Sequence, residues 1–205
     1  MKNYKIKICG ITNERNYNDI KNYPIDYFGF IFYEKSSRYL LKNNNVNFIK
    51  SIKNKVGVFV DENINYLLEL CEKYNFNVVQ LHGNESEDYC KKLKNNRIEV
   101  IKSFLINSND DLKNINLYTN YVDYFLFDYK SKNYGGSGIN FNWKLLNNIE
   151  IKRPYFLSGG ISVKNINNIS FIENQNNLYA IDLNSKFEKY PGFKDIKMID
   201  KLFKK

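Results

Sequence analysis

Apolar residues recur along this chain in short, largely continuous runs rather than in alternation. The runs are Ile6–Cys9, Tyr27–Phe32, Val56–Val60, Val78–Leu81, Ile98–Ile101, Tyr124–Phe127, Tyr155–Leu157 and Tyr179–Leu183. Gly, Asn or charged residues bound each one. Short runs without a polar face suit strands covered on both sides, as in a parallel sheet. Between them the period changes. Ile64, Leu67, Leu68 and Cys71 form an apolar stripe at helical spacing, and Ile196, Ile199, Leu202 and Phe203 form another. Asn84 with Glu87, and Ser108 with Asp111, read as helix N-caps. Asn-rich stretches blur the helices expected after the first, second, fifth and sixth strands. Eight strands alternating with about eight helices, in units of roughly 25 residues, is the arithmetic of a parallel (β/α)8 barrel. One such α/β domain would occupy residues 1–205. An open doubly wound sheet, which usually has fewer strands, is the alternative.

In a barrel, chemistry sits where strands run into the following loops. The first strand ends in Lys7-Ile-Cys9-Gly10-Ile-Thr12. Cys9 there reads either as a nucleophile or base, or as a small buried hydrophobe. Cys71 and Cys90 lie on helix faces and read as core. The second strand leads to Arg38, suited to a two-pronged hold on a carboxylate or phosphate, or to an ion pair. His82 closes the fourth strand, and a lone His in that position is more often structural than catalytic. Asp128 follows an apolar run, where desolvation raises a carboxyl pKa and suits a general acid. Tyr134-Gly135-Gly136-Ser137-Gly138 then reads as a lid or as an ordinary glycine turn. The seventh strand ends in Ser158-Gly159-Gly160 and the eighth in Asp182-Leu-Asn184-Ser185. Backbone N–H groups in those two loops are a frequent phosphate cradle in barrels.

Composition narrows the partners. The chain carries 31 basic and 22 acidic residues, a net charge of +9, which raises the question of a polyanion. Nearly all the basic residues are Lys, with Arg only at 15, 38, 97 and 153, whereas nucleic-acid readers favour Arg. Abundant Lys, Asn, Ile, Tyr and Phe fit an A/T-biased coding sequence and a solvated Lys surface. Three cysteines without a CxxC pair and a single histidine favour neither a disulfide framework nor a metal centre. No apolar leader or membrane-length segment is evident, so a soluble, reduced, cytoplasmic protein is expected, with no nucleic-acid or membrane partner.

Seven blocks in order resemble the phosphoribosylanthranilate isomerase family of tryptophan biosynthesis. They are Lys7–Thr12; Gly29–Tyr33 with Ser37–Tyr39; Val56–Val60; Val79–Gly83; Phe127-Asp128 with Tyr134–Gly138; Leu157–Gly160; and Asp182–Ser185 with Pro191-Gly192 and Lys194-Asp195. The resemblance implies an Amadori rearrangement of N-(5-phosphoribosyl)anthranilate, a small phosphorylated anion, without cofactor or metal, in a monomer or homodimer. It implies Asp128 as general acid at the ring oxygen and Cys9 as base at C2′. Arg38 would hold the anthranilate carboxylate, and Gly160, Asn184 and Ser185 the phosphate. Gly136, Gly159 and Asp182 join that substrate-binding set, and His82 lines the site without an assigned role. Tyr129 and Lys186-Phe187 depart from the family's usual residues without removing a catalytic group; Lys186 reads as a phosphate contact or as solvent-exposed. An unperturbed thiol is only a few per cent ionised at neutral pH, so Cys9 needs help, from Lys7 or from substrate. Paired aspartates, as in the histidine-pathway sugar isomerases, are not expected, because strand one ends in Cys9 and strand five in Lys102-Ser103. Indole-glycerol-phosphate synthase would need a longer chain, and a degenerate nucleic-acid-binding barrel would have lost Cys9 or Asp128.

Overall fold

The computed structural model describes residues 4–43, 45–129, 142–172 and 177–204. Eight strands, β1 (Lys5–Ile8), β2 (Tyr27–Ile31), β3 (Lys55–Phe59), β4 (Val78–Leu81), β5 (Glu99–Ile106), β6 (Tyr124–Tyr129), β7 (Tyr155–Leu157) and β8 (Leu178–Leu183), pair in sequence order. All are parallel, and β8 pairs back onto β1 to close the barrel. Because side chains alternate across a strand, Ile6 and Ile8 face the surrounding helices, whereas Lys7 and Cys9 face inward. A layer of Val56, Ile101, Leu126, Phe156 and Ala180 fills the interior, with Tyr27, Tyr124 and Tyr179 packed beneath it. The barrel is therefore a plugged core with its polar interior positions gathered at the C-terminal end.

Full α-helices form where the apolar stripe is clean: α1 (Glu14–Ile20), α2 (Ile64–Tyr74), α3 (Glu87–Asn95) and α4 (Ile196–Phe203). The expectation of about eight helices is corrected. Among the described residues the chain after β2, β5, β6 and β7 carries short 3-10 turns instead, such as Asn47–Ser51, Ile115–Tyr118, Trp143–Asn148 and Ile166–Phe171. Their Asn and β-branched residues are poor helix formers, and a few buried apolar anchors cover the barrel without a full helix. Asn84 is not a cap. Its N–H donates to the Asp61 carboxylate, and Ser86 caps α3 by accepting from the N–H of Tyr89. Ser108 and Asp111 do form a capping box, but on the 3-10 turn Asn109–Leu112. Strand five does not stop at Lys102-Ser103; it runs to Ile106 because Lys102 pairs with the buried Glu85 and Ser103 bonds His82.

Beyond β8, a hairpin of β9 (Glu188–Tyr190) and β10 (Phe193–Lys194) folds back before α4 begins. Asn16, buried on α1, holds it in place. The Asn16 amide donates to the Lys194 carbonyl at 3.0 Å and its oxygen accepts the Lys194 N–H at 2.7 Å. That pin inserts the Lys194 side chain, fully buried, into the mouth of the barrel.

Candidate active site

A cleft of roughly 890 Å³ opens at the C-terminal end of the strands. Cys9, His82, Asp128, Gly159, Gly160, Asp182, Asn184 and Ser185 all line it, with Gln80, Ser158 and Lys186. Eight of the ten site residues expected from the sequence thus meet in one cavity. Gly136 lies outside the described residues, as does the whole Tyr134–Gly138 segment.

Arg38 takes the ion-pair alternative. It stands beside the lining rather than in it, and its guanidinium is held by Glu188 of β9: Nε donates to both carboxylate oxygens at 3.0 Å and Nη2 to Oε2 at 2.7 Å. Planar guanidinium and carboxylate match in this two-pronged way, which Lys cannot copy. Lys194 adds a second cation, its Nζ donating to Glu188 at 2.8 Å and to Asn184 at 2.9 Å. Burial works against the Glu188 charge, but Arg38 and Lys194 outweigh it and hold the carboxyl below its ordinary range. Gly10 is the backbone crossing of this cluster. Its φ is +78°, and a Cβ there would sit 2.7 Å from Arg38 Cδ and 2.8 Å from Asn184 Oδ1.

The interior of β1 supplies the second cluster. Lys7 is fully buried; Nζ donates to Asp182 at 2.9 Å and to Gln80 at 2.8 Å. Lys7 and Asp182 are register partners on adjacent strands, so pairing brings them together. The anion of Asp182 and the neighbouring Cys9 outweigh desolvation and hold the Lys7 ammonium charged. Burial pushes the Cys9 thiol up, while the charges of Lys7 and Lys194 pull toward the thiolate.

Asp128 is the penultimate residue of β6 and lines the same cleft. Burial raises its carboxyl to about 6, against the N–H of Tyr129, which donates to Oδ1 at 2.7 Å. Its Oδ2 lies 3.7 Å from His82 Nε2. Burial, helped by Lys102 and Lys7, lowers His82 to about 3, so the imidazole is neutral and the contact is not an ion pair. His82 Nδ1 meets Gln80 Nε2 at 3.0 Å and Ser103 Oγ at 2.9 Å. Gly159 and Gly160, at φ +86° and +66°, bend the chain in the left-handed region directly after β7, where a side chain would be strained. No His, Cys, Asp and Glu grouping suited to a metal occurs among the described residues.

Sequence reasoning did not single out Gln80, Ser103, Lys194 or Glu188. Gln80 had a signal, being two residues before His82 and therefore on the same strand face. Lys194 had one only as part of the Lys194-Asp195 block, with no role attached, and Glu188 had none, since a hairpin must fold back before either reaches the mouth.

The family described as N-(5'phosphoribosyl)anthranilate (PRA) isomerase matches residues 6–205. An N-(5'-phosphoribosyl)anthranilate isomerase of Parabacteroides distasonis is 38% identical over 195 residues, covering 93% of this chain and 88% of that one. The crystal structure of phosphoribosyl anthranilate isomerase from Thermotoga maritima superposes with a TM-score of 0.85 at 32% identity, covering 98% of this chain and 97% of the other. A further structure, at TM-score 0.81, 29% identity and the same coverage, is of an isomerase in complex with reduced 1-(o-carboxyphenylamino)-1-deoxyribulose 5-phosphate.

Proposed function

The chain belongs to the N-(5'-phosphoribosyl)anthranilate isomerase family, an isomerase family of tryptophan biosynthesis, and from that premise we propose that its own cavity rearranges phosphoribosylanthranilate with Asp128 as general acid and Cys9 as general base. The observation that carries this reading is the meeting of Cys9 and Asp128 in one cavity, with Gly160, Asn184 and Ser185 on its wall. The complexed relative contains a phosphorylated product analogue, which suits a cavity of this shape and polarity.

Asp128, raised to about 6, still holds its proton in a fraction of molecules at neutral pH and delivers it to the furanose ring oxygen. The ring C–O bond breaks and the anilino nitrogen lone pair makes the C1′ iminium. Cys9, as thiolate, removes the C2′ proton; the C–H electrons form the C1′–C2′ double bond and neutralise the iminium. The resulting enolamine becomes the ketone by tautomerisation. One proton enters the substrate and one leaves, so the reaction is an isomerisation and consumes nothing.

The resting thiol is the weak element, since burial disfavours its ionisation. Lys7 and Lys194 supply the counter-charge that makes a thiolate possible here. Gly136, Gly159, Gly160, Asp182, Asn184 and Ser185 are proposed to hold the sugar phosphate. For Arg38 the proposal is that the guanidinium edge left by Glu188 takes the anthranilate carboxylate.

The test is direct. Purified protein should consume freshly made phosphoribosylanthranilate, read as loss of its fluorescence, and should rescue a tryptophan auxotroph lacking this isomerase. Cys9→Ala and Asp128→Asn should each lower kcat by at least about 10²-fold, the low end for a general acid or base. Undiminished turnover in either variant rejects that residue's role.

A further inference from the structure

Lys7 offers a way to determine which nitrogen of His82 carries its proton. An ammonium group can only donate, so the Gln80 atom 2.8 Å from Lys7 Nζ is the amide oxygen. The other end of that amide is then the NH2 group, and it is this end that meets His82 Nδ1 at 3.0 Å. An NH2 group also only donates, so Nδ1 must accept. A neutral imidazole with an accepting Nδ1 carries its proton on Nε2, the nitrogen 3.7 Å from Asp128 Oδ2.

We propose that Lys7 and Gln80 act as positioning residues that fix His82 as a neutral Nε2–H donor aimed at Asp128. The inference rests on the acid assignment above and deepens it. A general acid becomes an anion when it gives up its proton, and a donor waiting at Oδ2 stabilises that anion more than the acid that preceded it. The 3.7 Å separation is too long for a hydrogen bond in the resting enzyme, and catalytic contacts of this kind commonly tighten only with substrate bound. The opposite tautomer would aim a lone pair at the carboxylate and oppose the transfer. Charge matters as well. Burial of the ring, with Lys102 on β5 and Lys7 on β1, keeps His82 uncharged, so it assists without holding Asp128 permanently ionised. Ser103, 2.9 Å from Nδ1, can rotate its hydroxyl to share the same lone pair, which is compatible with that tautomer. The same ammonium lies against Cys9, so a single buried Lys influences both the acid and the base.

The chain has one histidine, so its ring nitrogens can be read without assignment. In ¹⁵N-labelled wild-type protein at neutral pH, long-range ¹H–¹⁵N correlation should show a protonated Nε2 and a bare, accepting Nδ1. A protonated Nδ1, or an imidazolium, overturns the proposal. Gln80→Glu tests the cause: a carboxylate still accepts from Lys7 but can no longer donate, so Nδ1 should become protonated. With that reversal kcat should fall by about 10- to 100-fold, by analogy with the loss of the partner that orients a metal-bound histidine. KM should change little, and the acid limb of the kcat profile should move. Gln80→Glu with wild-type kcat, or with Nε2 still the sole protonated nitrogen, overturns the relay; should the variant not fold, the wild-type spectrum decides alone. An Nδ1–H signal in an enzyme that Asp128→Asn inactivates rejects the tautomer and leaves the acid. Turnover that survives Asp128→Asn, with Nε2–H in the spectrum, rejects the acid instead.

Discussion

Removing the Glu188 carboxylate would leave two cations, Arg38 and Lys194, without their shared anion in a mouth that water scarcely reaches. Breaking a buried ion pair from one side costs on the order of 3–5 kcal/mol, because the remaining charge is uncompensated. Glu188→Gln should therefore lower the unfolding midpoint in denaturant more than the exposed Asp110→Asn, whose partner Lys113 is on the surface. Asp128→Asn should act in the opposite sense on stability. The folded-state pKa is raised, so the contribution of Asp128 is present below the unfolded value near 4 and is lost as pH rises through about 6. The neutral amide escapes that loss. Relative to wild type, the Asn variant should gain stability between pH 4 and 8, on the order of 3 kcal/mol, measured as Tm against pH. These residues also show what was legible. Cys9, His82, Asp128 and Asn184 end strands, so local pattern found them. The partner of Arg38 could not be read, since nothing local links position 38 to position 188.

At the scale of elements, legibility followed the strength of the apolar stripe. The runs at Ile64–Cys71 and Ile196–Phe203 became α2 and α4, and Val78–Leu81 and Tyr155–Leu157 became β4 and β7 with the expected bounds. The start of α3 differs from the local pattern because Asn84 and Ser86 are both good caps, and the choice between them is made by Asp61, a neighbour in space that draws Asn84 away. Ser86→Ala should therefore cost about 1 kcal/mol, the usual value of an N-cap, read from chemical denaturation. Asn84→Ala should leave the helix start intact. Strand five is longer than its apolar run suggests, because a charged residue inside such a run reads as its end. Lys102 is instead buried with Glu85 as its counter-ion, a compensation that only packing reveals.

For the whole molecule, the net charge of +9 is not carried only by a solvated surface. Lys7, Lys55, Lys102 and Lys194 are buried. Three of them pair with Asp182, Glu85 and Glu188, and the fourth donates to the backbone carbonyls of Ile49 and Lys50. The pH dependence of activity belongs to this scale, since it reports the pair Cys9 and Asp128 together. If the reactive form holds a protonated Asp128 and an ionised Cys9, kcat/KM should rise to a plateau near pH 6 and fall again only above the ordinary thiol range. A single acid limb far from 6 would reject the paired titration. Among the described residues no helix is long and apolar enough to cross a membrane.

The sequence by itself determined the eight-strand parallel plan, the strand-end positions of Cys9, His82 and Asp128, and the family. Each follows from periodicity, or from short segments whose order along the chain is fixed. Tertiary structure alone decided the electrostatics. Closing the barrel set Lys7 beside Asp182 and Gln80, and folding back the β9–β10 hairpin brought Glu188 and Lys194 to Arg38. The physical reason is range: side-chain pattern is local, whereas a charge responds to whatever packing places within a few ångströms, in a medium from which water has been removed.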